Sequence, residues 1–197
     1  MDDKELVIIQ AERLGVIRPR DLGVPRTVLG ELVRQGRLER TGWGLYRLPS
    51  HEPSEHHSLV EVAVRVPQAV VCLLSALEFH GIGTQSPHQV WIAIDGKARQ
   101  PRLTYPPLRT VRASGAALRS GIEHYCIEGR NVAIYSIEKT VADCFKYRNK
   151  IGIDVALEAL KEAVATRKLN MDYLWRYSKI CRVSNVIRPY LEAIQAP

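Results

Sequence analysis

The stretch RPRDLGVPRTVLGELVRQGRLERTGWGLYRLPS, residues 18–50, decides how the N-terminal part of the chain folds. Its first residues predict a short helix that ends at Gly23. A longer helix should begin at Pro25, because the first helical turn needs no N–H donor from proline, and should end at Gly36. Apolar residues at helical spacing give this longer helix one buried stripe, formed by Val24, Val28, Leu29, Leu32 and Val33.

After this helix the spacing of apolar residues changes to an alternating pattern. RLERT and LYRLP read as short strands on either side of the turn Gly42-Trp43-Gly44. Upstream, KELVIIQAERL predicts a helix over residues 4–14. Its apolar face should consist of Leu6, Ile8, Ile9 and Leu14. Three helices followed by a two-stranded hairpin is the order of a winged helix-turn-helix, and residues 1–50 are therefore predicted to form one.

Positive charge on this predicted domain indicates a nucleic-acid partner. Residues 13–50 contain eight arginines against three acidic residues. In a winged helix-turn-helix the third helix enters the major groove, where an arginine can read guanine through two hydrogen bonds. The start of that helix also favours a phosphate. The candidate DNA-binding residues are Arg18, Arg20, Pro25, Arg26, Thr27, Gly30, Arg34, Arg37, Arg40 and Trp43.

Other interpretations of these residues stay open at this point. Surface arginines are often no more than a solvated face, and a winged helix can also serve as a protein-binding module. Glu31 is compatible with reading a cytosine and with being a solvated charge.

The whole chain has the composition of a globular protein with a polyanionic partner. It has 197 residues, 46% of them hydrophobic, and a net charge of +7. Its four cysteines form no C-x-x-C pair, which favours free thiols in a reducing compartment. The N-terminus lacks the pattern of a signal peptide, and no apolar run approaches the roughly 20 residues of a membrane helix. The expected location is the cytoplasm.

The segment HEPSEHH, residues 51–57, is predicted to be a polar linker to a second domain over residues 58–197. SLVEVAVRVP and AVVCLLSALEFHGIG predict two helices, and QVWIAI, LRTVRAS, IEHYCIEG and NVAIYS predict strands. From Ser136 onward the pattern is helical, with Ser136, Asp154 and Asn170 as expected N-caps. The predicted fold class is α+β: a winged helix-turn-helix, then a larger mixed α/β domain that ends in a helical bundle.

Two segments resemble a known family. LGVPRTVLGELVRQGRLERTGWGLYRLP and the later YSIEKTVADCFKYRNKIGIDVALEALKEA are similar to the AbiEi-type antitoxins of type IV toxin–antitoxin systems, which act in abortive infection and phage defence. The second segment carries the more specific pattern: Tyr-Ser, then Thr-x-Ala-Asp-Cys-Phe, then Arg-Asn-Lys-x-Gly. Ile137 and Lys139 depart from it, where proline and arginine are expected.

The resemblance implies a transcriptional regulator. Members of the family bind repeats in the promoter of their own operon and repress it. They also counteract a nucleotidyltransferase-like toxin through the C-terminal domain, a functional relationship that does not require direct contact. The expected partners are therefore promoter DNA and the cognate toxin. Two copies are expected on an inverted repeat, and a monomer in solution is compatible with this arrangement.

In the second domain, Lys146, Arg148 and Lys150 are the candidate functional surface, for a protein partner or for nucleic acid. The alternative is that these bases are solvated. Asp143 is then a structural acceptor that holds neighbouring backbone or Arg148.

The sequence contains no recognisable catalytic set, and we expect no enzyme, cofactor or metal. His51, Glu52, His56 and His57 lack the H-E-x-x-H spacing of a zinc site. Ser75 and His80 lack a third partner, and Cys144 lies on an apolar face. The alternative function is a protein-interaction module that acts mainly through the C-terminal domain and binds DNA only weakly.

Overall fold

A computed structural model of the chain describes residues 2–42 and 44–195. The chain divides into two compact units, of which the first contains residues 1–65 and 125–132. The second contains residues 66–124 and 133–197. This division differs from the predicted boundary at residues 51–57, because the first unit extends further along the chain and also includes a distant hairpin tip.

The N-terminal unit has the predicted order of three helices and a hairpin. The unit also includes the helix that SLVEVAVRVP predicts, which was expected in the second domain. The elements are α1 (Asp3–Leu14), α2 (Pro19–Leu22), α3 (Arg26–Arg34), β1 (Glu39–Gly42), β2 (Leu45–Arg47) and α4 (His57–Arg65).

Glycines end the first two helices, as the sequence predicts. Gly15 and Gly23 adopt positive φ angles of 62° and 67°, which a residue without a side chain adopts at little cost. The core between the helices is small and aliphatic, and its buried members are Val7, Ala11, Ile17, Leu29, Leu32 and Leu38. The predicted apolar face of α1 is partly wrong, because α1 buries Val7 and Ala11 while Ile9 is 48% exposed.

The wing is an antiparallel hairpin in which Glu39 pairs with Arg47 and Arg40 pairs with Tyr46. Ile17, between α1 and α2, adds a bridge to this hairpin that the sequence did not reveal. The N–H of Ile17 donates to the carbonyl of Tyr46 at 2.9 Å, and the N–H of Tyr46 donates back at 3.0 Å. The wing is thereby fixed to the chain segment that leads into α2.

The C-terminal unit is built around a mixed five-stranded sheet of order β5-β4-β3-β7-β6. β3 is antiparallel to β4 and parallel to β7, and β4 is parallel to β5. Its strands are β3 (Val70–Val71), β4 (Val90–Asp95), β5 (Leu108–Ala113), β6 (Ile122–Ile127) and β7 (Arg130–Tyr135). The tip of the β6–β7 hairpin lies in the N-terminal unit.

Helices complete this unit and form its C-terminal end, as predicted. They are α5 (Leu73–His80), α6 (Ala116–Arg119), α7 (Ile137–Lys146), α8 (Arg148–Ile151), α9 (Ile153–Ala165), α10 (Met171–Cys181) and α11 (Ser184–Gln195). The mixed α/β fold class is confirmed. Within the described ranges, no helix is long and apolar enough to cross a bilayer.

Three local predictions for this unit need correction. Val70 and Val71 belong to a sheet strand and not to a helix, because Val70 pairs with Ala93 and Val71 with Ile92. Ser136 and Asn170 are N-caps as predicted, but Asp154 is not: α9 is preceded by Gly152, which has a φ of 95°. The predicted continuous helix after Ser136 divides at Tyr147 into α7 and α8.

Candidate nucleic-acid interface

The outer face of α3 carries cations and lacks large apolar groups. Leu29 and Leu32 are buried in the core, whereas Arg26, Thr27 and Arg34 are exposed. Each side chain therefore lies on the side that its place relative to the apolar stripe predicts. Nε of Arg34 lies 3.4 Å from the carbonyl oxygen of Gly30, one turn earlier. Both arginines can reach a ligand outside the protein.

Gly30 lies on this face between the two arginines. A Cβ atom added there would meet no atom of the described residues within 4 Å. Internal packing therefore gives no reason for a glycine, which costs about 0.5–1 kcal/mol relative to alanine inside a helix. Close approach of an external backbone is a physical reason that remains.

The start of α3 is open to an anion. Pro25 occupies the N-cap position and no side chain caps the first turn. The N–H of Val28 donates to the carbonyl of Pro25 at 3.1 Å. The N–H groups and dipole of a helix start attract phosphate, and Arg26 adds a full positive charge at the same end.

Glu31 is paired with α1. Its carboxylate lies 2.8 Å from Nζ of Lys4, and this hydrogen bond and charge lower the pKa of Glu31, with a further contribution from Arg34. Glu31 is thus an ionised, partly exposed side chain that pairs with Lys4, and both interpretations of Glu31 are compatible with this contact.

Exposed arginines also lie at the base of the wing. Arg37 and Arg40 are exposed, and Nε of Arg40 is 3.4 Å from the carbonyl of Gly42. Arg47, which the sequence did not single out, lies 3.3 Å from Glu39 across the hairpin. Trp43, the predicted wing tip, lies outside the described residues.

Arg18 and Arg20, both predicted phosphate contacts, have different surroundings. Arg20 is exposed on α2. Arg18 is held within the unit: Nε and Nη2 donate to Asp21 at 2.9–3.1 Å, and Nη1 donates to the carbonyl of Val64. These contacts use the donors that a phosphate would need, so Arg18 is the weakest of the predicted DNA contacts.

In the C-terminal unit, the basic residues of the candidate functional surface lie around Tyr147. Nζ of Lys146 and Nζ of Lys150 lie 5.4 and 5.7 Å from the centre of the Tyr147 ring. Arg148 donates inward to the carbonyl of Phe145 at 2.8 Å. Lys150 is exposed and Lys146 half-buried, so the two lysines are the more accessible part of the predicted surface.

Asp143 has the structural position that the alternative interpretation describes, but with different partners. It is buried, forms an ion pair with Lys139, and accepts a hydrogen bond from Sγ of Cys181 at 3.2 Å. The prediction that it holds Arg148 is wrong, because the helix divides at Tyr147 and Arg148 turns back to Phe145. The departure at Lys139 thus places a buried lysine one turn before Asp143.

The tip of the β6–β7 hairpin, Glu128-Gly129-Arg130-Asn131, was not among the functional residues that the sequence predicted. Glu128 accepts hydrogen bonds from Nδ1 of His57 at 2.8 Å and from Oγ of Ser54 at 2.7 Å. Arg130 donates to the carbonyl of Val16. The signal in the sequence was a pair of opposite charges on either side of a glycine. It could not identify their partners, which are more than 70 residues away in the chain.

Ser54 and His57 of the HEPSEHH segment therefore form hydrogen bonds with Glu128. Nε2 of His51 also lies 3.2 Å from the Glu128 carboxylate. Within the described part of the chain, no group of three or more His, Cys, Asp or Glu residues could hold a metal ion.

The N-terminal unit has the element order of a winged helix-turn-helix: three helices followed by an antiparallel hairpin. Residues 4–49 match a family described as "Transcriptional regulator, AbiEi antitoxin", so the resemblance noted in the sequence is confirmed for this segment.

The fold is also similar to the crystal structure of the RV2827C protein from Mycobacterium tuberculosis. The match has a TM-score of 0.53 and covers 98% of this chain and 80% of that chain. At 14% sequence identity, it shows a shared fold. Among curated proteins, no sequence matches this chain.

Proposed function

We propose that this protein is a cytoplasmic antitoxin of a type IV toxin–antitoxin system that represses its own operon and counteracts a nucleotidyltransferase-like toxin. The observation that carries the proposal is the outer face of α3, where Arg26 and Arg34 are exposed on either side of Gly30. The match of residues 4–49 to AbiEi regulators supports the same function.

In the proposed complex α3 lies in the major groove of promoter DNA. Arg26 and Arg34 contact bases, Thr27 and the open start of α3 contact phosphate, and Arg37, Arg40 and Trp43 follow the adjacent backbone. Arg20 adds a phosphate contact from α2. Two copies occupy an inverted repeat, one on each half-site.

The direct test is fluorescence anisotropy with a duplex from the upstream region of the gene and a random duplex, over a series of salt concentrations. Each phosphate contact contributes about −0.9 to the slope of log affinity against log salt. Several contacts therefore predict a steep loss of binding as salt rises. Failure to bind the promoter duplex at low salt would refute the DNA-binding part of the proposal.

Arg26→Ala tests the role of the recognition helix. If Arg26 reads a base, the variant should lose about 1–3 kcal/mol of binding on the promoter duplex and less on random DNA. Equal losses on both duplexes would make Arg26 a phosphate contact. Lys161→Ala is the matched control, because Lys161 is an exposed cation in the middle of α9.

The antitoxin task is proposed for the C-terminal unit and its accessible lysines, Lys146 and Lys150. Cells that express the toxin encoded beside this gene should grow again when this protein is co-expressed. The Arg26→Ala variant should restore growth as well. Lys146→Ala with Lys150→Ala should weaken the rescue while leaving promoter binding in place. A protein that neutralises the toxin yet ignores its promoter would instead be the interaction module.

A further inference from the structure

α2 depends on polar contacts for its position. It is four residues long and contains no buried residue; Leu22 is the partly buried side chain that it packs against the core. A helix of one turn is not stable alone, so tertiary contacts must fix it. In a helix-turn-helix this element sets the orientation of the recognition helix, here α3.

Two arginines fix α2 through one carboxylate. Asp21, in α2, is held by Arg18 at 2.9 Å and faces Nη2 of Arg130 at 3.5 Å. Each arginine also holds a backbone carbonyl: Nη1 of Arg18 donates to Val64, and Nε of Arg130 donates to Val16 at 2.8 Å. Arg130 thus contacts α2 and the residue that precedes the Ile17–Tyr46 bridge to the wing.

The hairpin tip that carries Arg130 is itself closely seated in the N-terminal unit. A Cβ atom on Gly129 would overlap the carbonyl oxygen of Arg13 at the end of α1, and Gly129 has a φ of +72°. Glu128 accepts a hydrogen bond from the N–H of Ser54 at 2.8 Å as well as those from His51 and His57. Arg130 therefore extends from a well-anchored turn.

We propose that Arg130 is a positioning residue for DNA recognition, which holds α2 and the wing strand so that α3 keeps the orientation a major groove requires. The proposal rests on the proposed DNA-binding function. Arg130 acts through Asp21 and Val16, to which its Nε and Nη2 are committed within the unit, and the proposal gives it no contact with DNA.

Promoter binding by the full-length Arg130→Met variant tests this role, at a temperature where thermal melting shows both proteins folded. The affinity for the promoter duplex should fall at least about tenfold, the affinity for random DNA by less than about threefold, and the salt slope should not change. A direct phosphate contact would lower both affinities alike and reduce the slope by about 1. That result, or unchanged promoter affinity, would overturn the proposal.

Hydrogen exchange gives a readout that does not depend on DNA. The N–H of Ile17 bonds to Tyr46 at 2.9 Å and that of Asp21 to Arg18 at 3.0 Å. In Arg130→Met both amides should exchange at least about tenfold faster, while core amides of the C-terminal unit keep their protection. Unchanged exchange at both amides would overturn the proposal even if DNA binding were lost.

The two measurements separate this inference from the proposed function. A wild-type protein that ignores its promoter refutes the function, and the exchange rates still decide whether Arg130 positions α2. Arg99→Met, an exposed arginine between β4 and β5, is the control for loss of charge. If Arg130→Met does not fold, Arg130→Lys keeps the charge but loses the planar fork, and the same changes are expected at reduced size.

Discussion

α3 and α7 are amphipathic helices of nine and ten residues that use charged side chains in opposite ways. In α7 the seven consecutive residues from Lys139 to Phe145 are buried, including Lys139 and Asp143. In α3 two residues are buried and both arginines are exposed. α7 is buried on every side over these two turns and encloses its charges as an ion pair, whereas the charges of α3 lie outside its buried stripe and can bind a ligand.

Both members of the buried Lys139–Asp143 pair in α7 have a further contact besides each other. Asp143 meets Nζ of Lys139 and the thiol of Cys181, and Nζ of Lys139 lies 4.0 Å from the centre of the Tyr135 ring. Burial, together with the negative charge of Asp143, raises the pKa of Cys181 to about 12. The thiol therefore stays protonated at neutral pH and can serve as the donor.

The largest effect is expected for Asp143→Ala, which removes the buried ion pair between Lys139 and Asp143 in α7. Lys139 would lose its ion-pair partner in a site with 0% exposure, and breaking a buried pair in this way costs about 3–5 kcal/mol of unfolding free energy. Urea denaturation measures the loss, and Lys161→Ala on the exposed face of α9 should change the free energy by less than about 0.5 kcal/mol. A loss below 1 kcal/mol would contradict the structural role of the pair.

A smaller effect tests whether the hydrogen bonds to Glu128 stabilise the N-terminal unit. Burial alone would raise the pKa of Glu128, but hydrogen bonds from His57, Ser54 and His51 lower it from 4.5 to about 2. Because the folded-state pKa lies below the unfolded value, the stabilisation is complete above about pH 5 and is lost as the pH falls toward 2. The expected loss is about 2 kcal/mol after allowance for solvent screening.

Glu128→Gln separates this contribution from general acid denaturation. The variant should be less stable than the wild type at pH 7 and should lose less stability between pH 5 and pH 2, as followed by urea denaturation at each pH. Glu192→Gln is the control, because Glu192 is exposed on α11. Parallel acid profiles of Glu128→Gln and wild type would show that the hairpin tip is not held by this carboxylate.

The same comparison explains which features the sequence could predict. α3 was predictable because its boundaries, buried stripe and exposed arginines follow from local spacing between Pro25 and Gly36. The short strand Val70–Val71 was not, because two valines before a helix acquire their conformation only from pairing with Ala93 and Ile92. The partners of Glu128 and Arg130 are likewise set by tertiary structure, since they lie more than 70 residues away in the chain.

The smallest effect is expected for Gly30→Ala, which tests how the exposed face of α3 approaches DNA. Gly30→Ala places a methyl group where no atom of the described residues lies within 4 Å, so it should raise the unfolding free energy by about 0.5–1 kcal/mol. If Gly30 lets the backbone of α3 approach DNA closely, the same variant should bind the promoter duplex less tightly. Thermal melting and anisotropy on one preparation measure both changes, with Lys161→Ala as the control for a helix substitution. A variant that is more stable and binds DNA as tightly as the wild type would show that Gly30 serves no contact, and the proposed groove contact would then have to come from Arg26 and Arg34 alone.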